Sequence, residues 1–101
     1  MRQLEAPKQG DGWVFLDWKQ PTEGGRVSAY KIQRRQRPEV AWQDVATAIE
    51  TESTLVDQPK GAELEYRIIA INKAGEGSPS NTVMVVLWVY VVALWGYNME
   101  L

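Results

Sequence analysis

The sequence of 101 residues contains no cysteine and no histidine. The absence of cysteine excludes disulfide bonds, thiolate metal sites and a cysteine nucleophile. The absence of histidine removes the side chain that most often serves as a general base near neutral pH and as a zinc ligand. Both absences count against a hydrolytic enzyme and against a structural zinc site.

The sequence also lacks a strong net charge and a segment typical of a signal peptide. Eleven basic and thirteen acidic residues leave a formal charge of −2, so no overall field favours nucleic acid or an anionic membrane. Residues 1–10 have no apolar stretch of the signal-peptide kind. The length suits one domain, and 45% hydrophobic and 24% charged residues are ordinary for a soluble globular fold.

Short apolar segments recur along the chain with turn residues between them. The predicted strands are 13–19, 26–35, 41–46, 51–57, 63–72 and a last one that starts at Val83. Residues 73–80 (KAGEGSPS) are predicted to be a tight connection because of their glycine, proline and serine. No window has helical periodicity beyond a turn or two. About seven short strands at intervals of roughly 8–12 residues are typical of an all-β sandwich or small barrel.

Two blocks of residues resemble the fibronectin type III family. The first block comprises Val14-Phe15-Leu16-Asp17-Trp18, then Pro21, Gly24-Gly25 and Tyr30-Lys31-Ile32. The second comprises LEYRIIAIN at 64–72, followed by AGEGSPS at 74–80. The resemblance covers about residues 5–87. It implies an immunoglobulin-like, seven-stranded antiparallel β-sandwich with sheets of three and four strands. We expect its core to be centred on Trp18, Tyr30, Tyr66 and Ile68.

The chain departs from the family pattern in two respects. Leu64 stands where the family has its corner tyrosine, and Gln58 stands where it has a leucine, so the usual hydroxyl-to-backbone bond cannot form at Leu64. The family pattern would also end near Leu87, whereas this chain continues. We therefore predict a fibronectin type III domain over 1–87 and an apolar C-terminal extension over 88–101.

Strand alternation predicts which apolar side chains point away from the core. It places Trp13 and Phe15 on the outer face of one strand, and Ile69 and Ile71 on the outer face of another. Exposed apolar patches often mark interfaces, so these four residues are candidate contacts for a protein partner. Coverage of the four side chains by loops or by the C-terminal extension is the alternative.

The segment 83–97 (VMVVLWVYVVALWGY) is fifteen residues without a charge. A membrane-spanning helix needs about 20 apolar residues, and the valine content favours a strand, so no membrane span is predicted. We expect the extension to pack on its own domain or on a second copy of the chain, with Trp88 and Trp95 as anchors. A homodimer through this tail and a non-native addition both remain open.

A basic segment (KIQRRQR) contains four candidate polyanion-binding residues, Lys31, Arg34, Arg35 and Arg37. Such a stripe is able to bind phosphates or sulfates. Alternation, however, separates Arg34 from Lys31 and Arg35, and no stacking aromatic residue interleaves with the stripe. A solvated sheet edge is therefore favoured, and no nucleic-acid partner is expected.

Two pairs of carboxylates, Glu50 with Glu52 and Glu63 with Glu65, are each spaced to share a strand face. Surface strands provide neither the cleft nor the burial that a glycosidase needs, and no loop offers the oxygens of a calcium site. We therefore predict that the chain is not an enzyme and uses no cofactor or metal.

These observations predict a non-catalytic protein-interaction or spacer module of a larger protein. The family resemblance suggests a role such as cell adhesion and favours an extracellular or cell-surface location, which the residues themselves leave unknown. Two alternatives stay open. One is a self-associating module that dimerises or exchanges strands through its tail. The other is a carbohydrate or polyanion binder that uses Trp13 or the basic segment.

Overall fold

A computed structural model of the chain describes residues 3–88, which form eight strands. The strands are β1 (Glu5–Gly10), β2 (Trp13–Asp17), β3 (Ala29–Gln36), β4 (Gln43–Ala48), β5 (Glu52–Leu55), β6 (Glu63–Asn72), β7 (Gly75–Pro79) and β8 (Val83–Val86). The described part of the chain contains no helix, as the periodicity predicts.

The strands form two antiparallel sheets. The smaller sheet has the order β1-β2-β5, and the larger has the order β4-β3-β6-β7, with β8 also paired to β6. Because β7 and β8 pair with successive parts of β6, they are two pieces of one edge strand. Counted in this way, the sandwich has sheets of three and four strands, and the predicted fold class is confirmed.

Ser80 explains why the edge strand is divided. The Ile68 amide donates to the Ser80 hydroxyl oxygen at 2.9 Å, and the Ser80 amide donates to the Ile68 carbonyl at 2.8 Å. The next residue, Asn81, turns towards the smaller sheet, where its side chain accepts from the Leu4 amide and donates to the Leu4 carbonyl. The serine side chain thus replaces the missing ladder bond, and β8 resumes the pairing at Val83.

The prediction that residues 73–80 are only a connection is wrong, since β7 occupies most of that segment. The chain reverses at Lys73–Ala74, where the Ala74 amide donates to the Asn72 side chain. Gly75 has a φ of 122°, which favours glycine, and it begins the strand. Exposed glycine and proline suit an edge strand but conceal it from a search for apolar alternation.

The core lies between the sheets where the sequence places it. Trp18, Tyr30, Tyr66 and Ile68 are all buried. Trp18 meets Tyr30 edge to face, with ring centroids 5.5 Å apart and an interplanar angle of 68°. The Trp18 indole nitrogen has no hydrogen-bond partner among residues 3–88, at a cost of about 1–3 kcal/mol for a buried donor.

Gln58 connects the larger sheet to the loop that follows β5. Its side-chain oxygen accepts a bond from the Tyr66 hydroxyl at 2.6 Å and another from Arg34 at 2.9 Å. Its side-chain nitrogen donates to the Val56 carbonyl, and its backbone N–H donates to the Gly12 carbonyl. The hydrogen bond from Tyr66 to Gln58 therefore holds the loop after β5 against the larger sheet. This chain lacks the family's corner tyrosine, which would make a different bond.

Burial raises the pKa of Tyr66 to about 12, and the neighbouring Arg34 opposes this shift. The folded protein therefore favours the neutral phenol, while an unfolded tyrosine ionises near pH 10. The stabilisation that this difference provides is complete below about pH 10 and is lost as the pH rises towards 12.

We predict that Tyr66→Phe weakens the pH dependence of stability in this alkaline range. The variant loses one hydrogen bond, about 1 kcal/mol at neutral pH. Its free energy of unfolding should then fall less steeply than that of the wild type between pH 10 and 12, as measured by urea titration at several pH values. Equal slopes in the two proteins would contradict the assigned burial of the Tyr66 hydroxyl.

Candidate interaction surfaces

The outer face of the smaller sheet carries a shallow apolar cleft of about 480 Å³. It is lined by Lys8 of β1, Trp13 and Phe15 of β2, Thr54 of β5, and Val56 just after β5. The strand register places Phe15 opposite both Lys8 and Thr54. Val56 is 62% exposed, and both aromatic side chains are half-buried. The structure therefore brings the predicted pair Trp13 and Phe15 together and adds Val56, which follows β5. Alternation within β2 gives no sign of Val56, because this residue comes from a different segment of the chain.

The Trp13 ring owes its position to Gly10. The two residues face each other at the turn between β1 and β2. A Cβ atom on Gly10 would lie 2.2 Å from the indole nitrogen of Trp13, so the ring rests directly against the glycine backbone. Any larger residue at position 10 would have to displace the indole. The Trp13 side of the cleft thus depends on glycine at position 10, because only glycine lets the indole lie this close to the backbone.

Ile69 and Ile71 lie on the larger sheet and so do not join the Trp13 cleft. The prediction that Ile69 is an exposed contact is wrong, because this side chain is only 5% exposed. Its ladder neighbours are Lys31 on one side and Pro79 on the other. Alternation assigns it to the outer face correctly but does not reveal that the side chain is covered there.

Ile71 is half-buried and lines a second cleft of about 450 Å³ at one end of the sandwich. The loop 21–27 and residues 72–78, which include the turn after β6 and most of β7, form the walls of this cleft. The Asn72 side chain donates to the Gly24 carbonyl and joins the two walls. The lining combines apolar side chains such as Val27 with the carboxylates Glu23 and Glu76, so a larger share of this cleft is polar than of the Trp13 cleft.

Of the two predicted tail anchors, Trp88 is 77% exposed, and Trp95 lies outside the described residues. The residue before Trp88, Leu87, is fully buried. The Leu87 carbonyl accepts a bond from the Gly61 amide, and the Val86 carbonyl accepts one from the Gln9 side chain. The chain is therefore held in the domain up to Leu87.

Each of the four basic residues of 31–37 has a polar or acidic partner. Lys31 pairs with Glu76 and lies 3.7 Å from Asp44, and its hydrogen bond to Glu76 raises the pKa of the lysine. Arg35 bonds Glu65 at 2.5 Å. These pairs join residues that lie far apart in the sequence.

Arg37 lies 3.8 Å from both Glu63 and Glu65. Arg34 points to the other face, as alternation predicts, and bonds Gln58. A polyanion would therefore have to compete with existing partners at every position of the basic segment. The polyanion role stays a prediction.

No aromatic residue interleaves with the basic segment in the sequence, but the fold brings one to it from elsewhere in the chain. Trp42, which precedes β4, contacts two guanidinium groups with its ring. The central carbon of Arg35 is 4.5 Å from the ring centroid, and that of Arg67 is 4.3 Å from it. Such distances are typical of cation–π contacts. Sequence reasoning missed this cluster because its members come from β3, β6 and a loop.

Residues 3–88 contain no group of three or more acidic side chains placed to hold a metal ion. Within the same range, no helix has the length and apolar character needed to cross a bilayer.

The two antiparallel sheets and the tryptophan–tyrosine core define an immunoglobulin-like β-sandwich. The family model "Fibronectin type III domain" matches residues 2–86, and the chain belongs to this family. Domains of this family are in general non-catalytic modules.

Among curated proteins, the chain is similar to a Titin homolog of Caenorhabditis elegans and to human Contactin-3. It is 31% identical to the Titin homolog over 72 residues, which cover 69% of this chain and, to the nearest per cent, 0% of that protein. It is 36% identical to Contactin-3 over 77 residues, which cover 69% of this chain and 8% of that protein. The chain thus spans only a small fraction of these relatives.

Among solved structures, the twitchin kinase region of C. elegans matches with a TM-score of 0.78 and 29% identity, covering 85% of this chain and 16% of that one. Titin domains A168–A170 match with a TM-score of 0.77 and 24% identity, covering 84% of this chain and 30% of that one. The titin match supports the fold alone.

We predict that Gly10→Ala displaces the Trp13 ring and remodels the cleft. The added methyl group overlaps the indole, and such overpacking typically costs about 1–3 kcal/mol. The indole N–H resonance of Trp13 should shift strongly in a heteronuclear NMR spectrum. Gly77→Ala is the matched control, because a Cβ atom there makes only an ordinary contact of 3.6 Å. An unchanged Trp13 resonance in Gly10→Ala would contradict the close approach.

Proposed function

We propose that this chain is a non-catalytic interaction module of a larger protein and that the Trp13 cleft contacts a protein partner. The observation that carries this proposal is the grouping of two aromatic side chains with exposed Val56 in one concave surface. Aromatic residues that a partner buries fully supply much of the binding energy at protein interfaces. Lys8 at the rim would add a polar contact beside this apolar centre.

The non-catalytic part of the proposal is supported by the environment of the carboxylates. Glu63 and Glu65 form ion pairs with Arg37 and Arg35 on the outer face of a sheet. Catalytic carboxylate pairs instead flank a cleft, and burial raises the pKa of one member. A surface or secreted parent protein and a spacer role also belong to the proposal, and they rest on the family resemblance alone.

The proposal is tested by selecting 12-residue random peptides on phage against the full chain. We expect the selected peptides to shift the NMR resonances of residues 13–15 and 54–56. Phe15→Ser and Val56→Ser should each weaken binding at least fivefold, because each removes apolar area from the centre of the contact. Ile49→Ser is the control, since Ile49 is an exposed apolar residue, as Val56 is, but lies outside the cleft.

Peptides that bind instead at the second cleft, between residues 21–27 and 72–78, and that keep their affinity for Phe15→Ser, would overturn the assignment of the Trp13 cleft. The same spectra recorded with oligosaccharides test the alternative use of Trp13 as a platform for a sugar ring.

We also propose that residues 88–101 are an extension beyond the family domain and that they mediate self-association. Three observations support this proposal. The family match ends at residue 86, Trp88 is largely exposed, and residues 83–97 carry no charge. An apolar strand left uncovered is prone to pair with another chain. A second copy of the chain offers the same uncharged segment and so is a suitable partner.

We expect the full chain to show a rise in weight-average mass with concentration by light scattering. The double variant Trp88→Ser/Trp95→Ser should reduce that rise, because it removes the two largest apolar side chains of residues 88–101. Val40→Ser is the control for loss of an exposed apolar residue elsewhere. A mass that equals one chain at all concentrations would contradict self-association.

A further inference from the structure

The outer face of the larger sheet presents a cluster of Arg35, Trp42 and Arg67. The two guanidinium groups contact the same indole ring, at 4.5 Å and 4.3 Å from its centroid. Arg35 comes from β3 and Arg67 from β6, which are neighbouring strands. Trp42 reaches them from the segment before β4. A rigid aromatic ring thus fixes the positions of two cations.

The two arginines differ in their ionic partners. Arg35 bonds Glu65 at 2.5 Å and donates to the Val40 carbonyl. Arg67 donates its Nε–H to the side-chain oxygen of Gln33 at 2.7 Å, and no carboxylate of residues 3–88 lies within ion-pair distance of it. Burial and the charge of Arg35 both lower the pKa of Arg67. Arg67 is therefore a cation held next to another cation without an anion from the described residues.

The terminal nitrogens of Arg67 are open to a partner. Its two Nη groups have no hydrogen-bond acceptor among residues 3–88, and they are not among the buried side-chain atoms that lack one. They therefore reach solvent. Arg67 and Trp42 are both half-buried, so each keeps an accessible part. A planar guanidinium whose two Nη groups are free suits two-point binding of a carboxylate.

The surrounding charges favour a single carboxylate over a polyanion. On this face Lys31, Arg35 and Arg37 are already matched by Glu76, Glu65, Glu63 and Asp44. These carboxylates would repel a chain of sulfates or phosphates. One unpaired positive charge in a ring of matched pairs is complementary to one negative charge.

We propose that Arg67, stacked on Trp42, is a docking site for an aspartate or glutamate side chain of a protein partner on the outer face of the larger sheet. This surface lies on the opposite side of the sandwich from the Trp13 cleft. Failure of one proposal therefore leaves the other standing.

The test uses the full chain, labelled with 15N, and a capped five-residue peptide of alternating glutamate and valine. We expect the peptide to shift the Arg67 Nε–H and Trp42 indole N–H resonances saturably, and less so at high salt because the contact is ionic. The same peptide with glutamine in place of glutamate should leave both resonances unchanged. Arg67→Gln should weaken binding at least fivefold, whereas Arg26→Gln, an exposed loop arginine, should not.

Three results would overturn the proposal. The first is equal shifts with the glutamine peptide or no shifts with either peptide. The second is unchanged affinity in Arg67→Gln. The third is tighter binding of inorganic sulfate or phosphate than of the peptide, which would point to the polyanion role instead. If Arg67→Gln does not fold, Arg67→Lys replaces it, and we expect weaker binding there because lysine cannot make the two-point contact.

Discussion

The sandwich depends on the contact of Trp18 with Tyr30 between the two sheets. Trp18 follows β2 of the smaller sheet, and Tyr30 lies in β3 of the larger, so this pair joins the two layers. The protein leaves the Trp18 indole nitrogen without a partner among the described residues. Burial of a tryptophan outweighs that cost, since it removes about 150–250 Å² from water, worth about 4–6 kcal/mol at about 25 cal/mol per Å². The two layers are packed together around this pair.

The sequence predicts the backbone of this fold well where apolar alternation is strong. The bounds of β6, 63–72, match the predicted strand, and the four predicted core residues are buried. Prediction fails for β7 because glycine and proline carry no alternation, although hydrogen bonds to β6 make the segment a strand. Alternation also predicts which face of the sheet a side chain lies on, but it does not predict how much of that side chain is exposed to solvent. Ile69 therefore lies on the predicted side of its sheet and is nevertheless covered.

The surface sites were only partly predictable, because their members are distant in the sequence. Trp13 and Phe15 follow from alternation within one strand, but Gly10 and Val56 complete the cleft from outside it. The basic segment is conspicuous in the sequence, yet its partners Glu65 and Glu76 lie about 30 and 45 residues away. Only strand pairing brings these charges together. The same strand pairing leaves Arg67 without an acidic partner among residues 3–88, unlike Lys31, Arg35 and Arg37.

The way in which Asn81 holds Leu4 has a mechanical consequence. Leu4 bonds Asn81, and five residues further on in each segment Gln9 bonds Val86, so the first and last strands run side by side in the same direction. Tension applied through the two ends of the described chain would then pull these strands past each other. The contacts between them would bear the load together, as in shear, and would not open one after another.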